Sequence, residues 1–133
     1  MGNWLARHLL SAGFSVLVHD IDPVKVEALV KEGGKTASAP DAIASEVDVV
    51  IMSLPSSSIV NEVVKDSLKL FETVRKGLIV IDATTADPRM SEELAMKLTQ
   101  KGIEMLDAAI SGTSEMCAVS SLSITSWPIS DSA

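Results

Sequence analysis

Short runs of aliphatic residues alternate along the chain with longer amphipathic stretches. The runs contain Val, Ile and Leu without a regular polar alternation, which is typical of parallel strands covered on both faces. Four strands are predicted, at Phe14–His19, Val47–Leu54, Leu78–Asp82 and Ile103–Asp107. Helices are predicted at Asn3–Ala12, Pro23–Lys31, Pro40–Ser45, Ser57–Phe71 and Pro88–Gln100. This repetition predicts an α/β fold, a doubly wound parallel sheet with right-handed crossovers.

Residues with special backbone chemistry mark several helix ends. Asp22-Pro23 and Asp87-Pro88 stand at predicted starts, where Asp can accept from free N–H groups and Pro loses no hydrogen bond. Gly13 and Gly102 follow predicted helix ends, where a left-handed backbone is common.

The composition is that of one acidic domain. The chain has 133 residues, with 11 Lys and Arg against 18 Asp and Glu, and a formal net charge of −7. The length suits a single domain, and the acidic balance argues against nucleic-acid and anionic-membrane partners. A hydrophobic content of 47% excludes a disordered chain, and an aromatic content of 3% requires an aliphatic core.

Cysteine use and hydropathy bear on the compartment. Cys117 is the single cysteine, so it cannot form a disulfide within the chain, which is consistent with a reducing compartment. No apolar run reaches the ~18 residues that span a bilayer, and the first residues lack a signal-peptide pattern. We therefore expect a soluble, cytoplasmic protein, with mitochondria or another organelle left open.

Residues 119–133 differ from the rest of the chain. Ala118–Ala133 holds six serines, no Lys or Arg, and Asp131 as its sole charge. It shows neither a helical period nor a clear strand. One interpretation is a divergent, flexible tail after a domain at residues 1–118. The other is that the chain leaves its expected course near residue 118.

Polar residues collect where the predicted strands end, and ligands of an open parallel sheet bind beyond those ends. The four groups are His19-Asp20, Ser53-Leu54-Pro55, Asp82-Ala83-Thr84-Thr85 and Asp107…Ser111-Gly112. Four strand ends that share one polar edge exceed what a core requires, so the edge is a candidate binding site.

Asp20 follows the first predicted strand. In a dinucleotide-binding fold, a carboxylate at the end of the second strand accepts both adenosine ribose hydroxyls and repels a 2′-phosphate, which favours NAD over NADP. The alternative is a solvated turn residue before the Asp22 cap. Gly2 stands where the third glycine of a G-x-G-x-x-G loop belongs, but one glycine does not identify that loop.

Other candidates have no supporting pattern. His8 and His19 lack the spacing of metal ligands, so no metal site is predicted. Cys117 has no evident His partner, and Ser111 is not part of a G-x-S-x-G turn.

Four motifs occur in a characteristic order: MGNWLARHLLSAGFSVLVHD, MSLP, IDATTADP and DAAISG. This order resembles the β-hydroxyacid dehydrogenases, which include 3-hydroxyisobutyrate dehydrogenase, tartronate semialdehyde reductase and 6-phosphogluconate dehydrogenase. The resemblance covers about residues 1–118. It implies an NAD(P)-binding Rossmann-type domain that lacks the family's first strand and its C-terminal helical domain.

The resemblance also implies roles for individual residues. Met1, Gly2 and Asn3 match the end of the glycine loop and the start of the helix that faces pyrophosphate. Asp20 matches the ribose ligand, Leu54 and Pro55 match the wall beside the cofactor, and Thr85 matches the threonine near the nicotinamide half. Ser111 and Gly112 match the start of the loop that holds the substrate carboxylate.

Three departures from the family pattern bear on activity. Ala109 replaces a proline, and Thr113 replaces a glycine where the backbone should approach substrate. The family's catalytic lysine, which handles the substrate hydroxyl proton, lies in a G-x-N-x-x-K helix, and no lysine of this sequence has that context.

The resemblance thus implies an oxidoreductase that transfers hydride between NAD(P) and a small 3-hydroxy acid, here as an inactive cofactor-domain fragment. The alternative is a non-catalytic cofactor-binding or interaction module derived from the family. A homo-oligomer is expected only for the full-length protein. We also expect low stability, since the strands beside the absent first strand would expose unpaired edges; a cooperative melt above ~50 °C would contradict this.

Overall fold

The computed structural model describes residues 2–72, 77–85, 87–111 and 123–128. The helices are α1 (Gly2–Ser11), α2 (Pro23–Lys31), α3 (Ile43–Glu46), α4 (Ser57–Glu62) and α5 (Pro88–Thr99). A 3-10 turn at Pro40–Ala42 leads into α3, and a π-helical segment at Val63–Ser67 continues α4. The strands are β1 (Val49–Met52), β2 (Ile79–Asp82), β3 (Glu104–Ser111) and β4 (Ser123–Pro128).

The four strands form one sheet in the order β1-β2-β3-β4. β1, β2 and β3 are parallel, with Met52 in register with Asp82, and Asp82 in register with Asp107. The predicted α/β fold is confirmed by this arrangement. The register places the ends of β1 and β2 side by side, whereas β3 continues beyond Asp107 to Ser111.

The helix starts were predicted correctly at the two Asp-Pro pairs. Asp22 Oδ1 accepts from the Val24 N–H at 3.0 Å, and Asp87 Oδ1 accepts from the Arg89 N–H at 2.9 Å. Gly13 and Gly102 adopt left-handed φ angles of 90° and 77°, as expected after a helix end.

The predicted strand at Phe14–His19 is wrong in extent. Only a parallel bridge between Leu17 and Lys35 forms there. It consists of the Val18 N–H bonded to the Lys35 carbonyl at 2.8 Å and the Lys35 N–H bonded to the Val16 carbonyl at 3.0 Å. An aliphatic run indicates burial, but a strand also needs a partner with which to pair. Among the described residues, the neighbouring segment supplies a single such partner, Lys35.

β1 is an outer strand of the described sheet, and its two faces differ. Val50 and Met52 are buried, whereas Val49 and Ile51 are 41% and 42% exposed. Burial on both faces, which the aliphatic pattern predicted, is therefore wrong for this strand. Val49 and Ile51 therefore form an apolar strip on the exposed face of β1.

β4 lies in the segment that the sequence predicted to be without a strand. Residues 123–128 pair antiparallel with β3, from Leu106–Pro128 to Ser111–Ser123. A strand signal was absent from the sequence here because a Ser-rich segment lacks the alternation of apolar and polar residues. Backbone pairing with the edge of β3 does not require that alternation. The division into a domain at 1–118 and a tail at 119–133 stays a prediction.

The core is aliphatic, as the composition required, and lies between the sheet and the helices α3 to α5. Its largest fully enclosed members come from the π-helical segment, β2, β3, α5 and their connections: Val64, Leu70, Leu78, Val80, Leu98, Ile103 and Met105. α1 contributes no fully buried residue. It is joined to the end of α2 by Arg7, which forms a 3.0 Å ion pair with Glu32 and lies 5.0 Å from the centre of the Trp4 ring.

Candidate functional site

The loops that follow β1 and β2 are bonded directly to each other. The Ala83 N–H donates to the Met52 carbonyl at 2.7 Å, which extends the sheet pairing beyond Asp82. The Leu54 N–H donates to the Thr84 hydroxyl oxygen at 3.0 Å. Two of the predicted site segments, at Leu54-Pro55 and at Thr84-Thr85, therefore form one connected edge.

α1 begins at the same edge. A Cβ built on Gly2 would lie 3.5 Å from the Ser53 Cβ, an ordinary contact distance, so the helix start packs against the end of β1. The first N–H groups of an α-helix have no partner within the helix and attract anions. The predicted pyrophosphate end of α1 is thus placed beside the predicted cofactor wall.

Asn3 carries an unsatisfied atom at this helix start. Its Oδ1 is buried and accepts no hydrogen bond within the described part of the chain. A buried acceptor without a partner is costly, so it indicates a place for a donor.

Asp20 lies on a groove of about 320 Å³ between α2 and the segment 36–43. The groove is lined by two carboxylates, Asp20 and Glu27, and by hydroxyls of Thr36 and Ser38, with no Lys or Arg among its described lining residues. Asp20 Oδ1 accepts from the Asp22 N–H at 2.9 Å. That bond is the one expected of a turn residue, and it leaves the second carboxylate oxygen for a sugar hydroxyl.

Asp82 and Asp107 are in-register neighbours on parallel strands. Asp82 is 1% exposed, and burial raises the pKa of its carboxyl above the ordinary value of 3.8, against the lowering effect of hydrogen bonds from Thr84. The pKa of Asp107 is also raised, first by burial and then by the charge of Asp82. The two groups therefore resist simultaneous ionisation.

The remaining predicted site residues are placed unevenly. Leu54 is half-buried, and Pro55 and Thr85 are exposed at the shared edge. The backbone of Ser111 ends β3. Met1 and Gly112 lie outside the described residues.

Sequence reasoning included Thr84 in the polar group after the third predicted strand but gave it no role, whereas the structure shows it 3% exposed and bonded both to Asp82 and to Leu54. Sequence reasoning missed the pairing of Asp82 with Asp107. The sequence did hold a signal for this pairing, because Asp82 and Asp107 are each the last residue of a predicted strand.

Within the described ranges, no group of three or more His, Cys, Asp or Glu residues is arranged to hold a metal ion. Within those same ranges, no helix has the length and apolarity needed to cross a bilayer.

Comparison with known proteins gives a family match over nearly the whole chain. Residues 1–126 match the family model of the NAD binding domain of 6-phosphogluconate dehydrogenase. The mitochondrial 3-hydroxyisobutyrate dehydrogenase of Mus musculus is 34% identical over 112 residues, which are 84% of this chain and 33% of the mouse protein. The chain thus spans about one third of the length of such relatives.

Solved structures show the same fold. The 3-hydroxyisobutyrate dehydrogenase of Salmonella typhimurium superposes with a TM-score of 0.85 and 26% identity, over 94% of this chain and 44% of that one. Psf3 in complex with NADP+ and 2-OPP superposes with a TM-score of 0.87 and 25% identity, over 96% of this chain and 45% of that one. Together with the family match, these similarities show that the chain belongs to the β-hydroxyacid dehydrogenase family and represents its N-terminal NAD(P)-binding, Rossmann-type domain.

Proposed function

We propose that this chain binds NAD at the shared edge and serves as the cofactor half of an oxidoreductase of the 3-hydroxyisobutyrate dehydrogenase type. The observation that carries the proposal is Asp20, whose exposed carboxylate lies on the groove and has bonded one oxygen within its own turn. A carboxylate at that strand end is the group that holds the adenosine ribose in dinucleotide folds.

We propose roles for the other site residues, of which Met1 and Gly112 lie outside the described residues. Met1, Gly2 and Asn3 bind pyrophosphate, and packing of the start of α1 on Ser53 supports this role for Gly2. Leu54 and Pro55 flank the cofactor, supported by the bond that anchors the Leu54 amide. Thr85 lies toward the nicotinamide half, and Ser111 with Gly112 holds the substrate carboxylate.

Charge favours NAD over NADP. A 2′-phosphate carries close to two negative charges and would meet Asp20 and Glu27 with no Lys or Arg among the described lining residues. The fold itself accepts either cofactor, since the similar protein Psf3 was solved with NADP+. The preference therefore depends on this groove.

The proposed reaction class is oxidation of a small 3-hydroxy acid. Bound NAD+ supplies a hydride acceptor: the hydroxyl carbon loses a hydride to the nicotinamide, the hydroxyl proton goes to a base, and a carbonyl remains. No lysine of the 133 residues lies in a G-x-N-x-x-K sequence. We therefore propose that these residues alone bind cofactor without oxidising substrate.

We also propose a compartment and an assembly state. We place the protein in the cytoplasm; several relatives are named as mitochondrial. Homo-oligomers are proposed for the full-length protein only.

Calorimetric titration of the chain with NAD+ and NADP+ tests the proposal. We expect NAD+ to bind more tightly, and Asp20→Asn to weaken NAD+ binding about tenfold, equivalent to ~1.4 kcal/mol. Glu46→Gln, an exposed carboxylate on α3, is the matched control and should change nothing. Absence of NAD+ binding contradicts the proposal, and tighter NADP+ binding contradicts the cofactor preference.

An assay with small hydroxy acids distinguishes the proposed dehydrogenase from the alternative function. The alternative is a non-catalytic cofactor-binding module derived from the same family. NAD+ binding by a full-length protein that oxidises no hydroxy acid would support the module, whereas turnover would support the dehydrogenase.

A further inference from the structure

A chain of hydrogen bonds leads from the buried end of β2 to the backbone of the loop after β1. The Thr84 N–H donates to Asp82 Oδ1 at 2.9 Å, and the Thr84 side chain also bonds to the Asp82 carboxyl. The Thr84 hydroxyl oxygen in turn accepts from the Leu54 N–H at 3.0 Å. Because a hydroxyl donates one hydrogen and accepts through its lone pairs, Thr84 can bond to both groups at once.

The geometry makes this connection directional. A hydroxyl that donates its hydrogen to Asp82 turns its lone pairs toward the Leu54 amide, whose N–H it accepts. Thr84 and Asp82 are both almost fully buried, so water offers little substitute for either bond. Loss of one partner would leave a buried polar group unsatisfied.

The surroundings of Asp82 provide no cation. Its carboxyl faces a narrow crevice formed by Ser57 and Asn61 of α4 and by Met90 and Ser91 of α5. From β3 it faces Asp107, and from β1 its register partner is Met52. Asp107 is the only titratable group among these described neighbours, and it carries the same sign of charge.

We propose that Asp82 is a positioning residue for the cofactor site, which orients Thr84 and thereby holds the Leu54-Pro55 segment in its binding geometry. This inference deepens the proposed function and rests on it. Asp82 and Asp107 ionise as a coupled pair, since two negative charges on adjacent strands repel each other.

The first experiment measures the connection itself, without cofactor. Amide hydrogen exchange is followed by nuclear magnetic resonance in the 133-residue chain and in Thr84→Val, which replaces the hydroxyl by a methyl of similar size. We expect exchange at Leu54 to rise at least tenfold, with Leu98 in the core unchanged. Thr84→Ser, which restores a hydroxyl, should restore protection.

The second experiment measures NAD+ binding at several pH values by calorimetry. Thr84→Val should weaken binding about tenfold and Thr84→Ser should recover it. Both Thr84 donors bond to the Asp82 carboxyl, so ionisation of Asp82 should strengthen these bonds, and the affinity of the unaltered chain should rise as the pH rises through the titration of the pair. Asp107→Asn should move that rise to lower pH, because Asp82 then ionises without a charged neighbour.

The outcomes separate the two proposals. If the unaltered chain does not bind NAD+, the proposed function fails, while the exchange experiment still decides the connection. Unchanged Leu54 exchange in Thr84→Val overturns the positioning role, as does failure of Thr84→Ser to recover binding that Thr84→Val has lost. Should Thr84→Val not fold, Asp82→Asn takes its place: equal NAD+ affinity and an equal pH profile would overturn the proposal.

Discussion

The Asp87 N–H donates a 2.7 Å hydrogen bond to the Ser57 hydroxyl, 30 residues earlier in the chain. Ser57 begins α4 and Asp87 caps α5, so the bond joins the starts of two helices that leave the same sheet edge. It lies alongside the Leu54–Thr84 bond. The loops after β1 and β2 are therefore connected twice.

Asp87→Ala removes the N-cap of α5, whose side chain accepts from the Arg89 N–H. We expect a loss of about 1 kcal/mol in the free energy of unfolding, the usual effect of deleting an Asp cap. Urea unfolding measures it. Asp87→Ser, which retains a capping oxygen, should lose less; equal losses would contradict the capping role.

The raised pKa of Asp82 has a consequence for stability. An acid whose pKa is higher in the folded state binds more protons when folded. Its contribution is therefore complete below the ordinary value near 3.8 and is lost as the pH rises through the folded-state pKa. As the pH rises above the ordinary value near 3.8, Asp82→Asn should lose less stability than the unaltered chain.

Urea unfolding across that pH range measures the difference. Glu46→Gln, which changes an exposed carboxylate on α3, is the control and should retain the pH dependence of the unaltered chain. Parallel pH profiles for Asp82→Asn and the unaltered chain would refute the assignment.

The exposed strip of Val49 and Ile51 predicts self-association, because an apolar outer strand offers unpaired backbone groups to another chain. Ile51→Lys should reduce association without disturbing the core, since this side chain is already 42% exposed. Sedimentation velocity at several concentrations measures it. Val24→Lys, at an exposed position on α2, is the control; an equal effect of both variants would rule out the strand edge.

Gly34 occupies a position with no space for a side chain. Its N–H donates to the Leu29 carbonyl at 2.9 Å, and a Cβ would lie 2.9 Å from that same oxygen. Gly34→Ala should cost about 1–3 kcal/mol, as overpacking does. Thermal unfolding compares it with Gly2→Ala, whose Cβ would meet Ser53 at an ordinary 3.5 Å; similar losses would contradict the clash.

The sequence predicted best those elements that carry their own local chemistry. α2 begins and ends where expected, at Pro23 and Lys31, because Asp22 and Pro23 determine its start and Gly33 follows its end. Two of the parallel strands were also predicted, since β1 and β2 fall within their aliphatic runs. These signals require no knowledge of distant residues.

Features that depend on pairing were harder to predict. The run at Phe14–His19 has strand composition, but a bridge to Lys35 is its only described pairing. β4 has no strand pattern and forms by backbone bonds to β3. For the same reason, the motif pointed to Thr85, whereas Thr84 makes the bonds that join the loops. Long-range hydrogen bonds leave no periodicity in a sequence.

The contact between Trp4 and Arg7 gives the molecule an optical reporter. The chain has no tyrosine and two tryptophans, Trp4 and Trp127, so its ultraviolet emission comes from these indoles. In a Trp127→Phe chain, all emission would come from the first turn of α1, where the Arg7 guanidinium lies 5.0 Å from the ring. Detachment of α1 could then be followed by fluorescence, separately from unfolding of the aliphatic core.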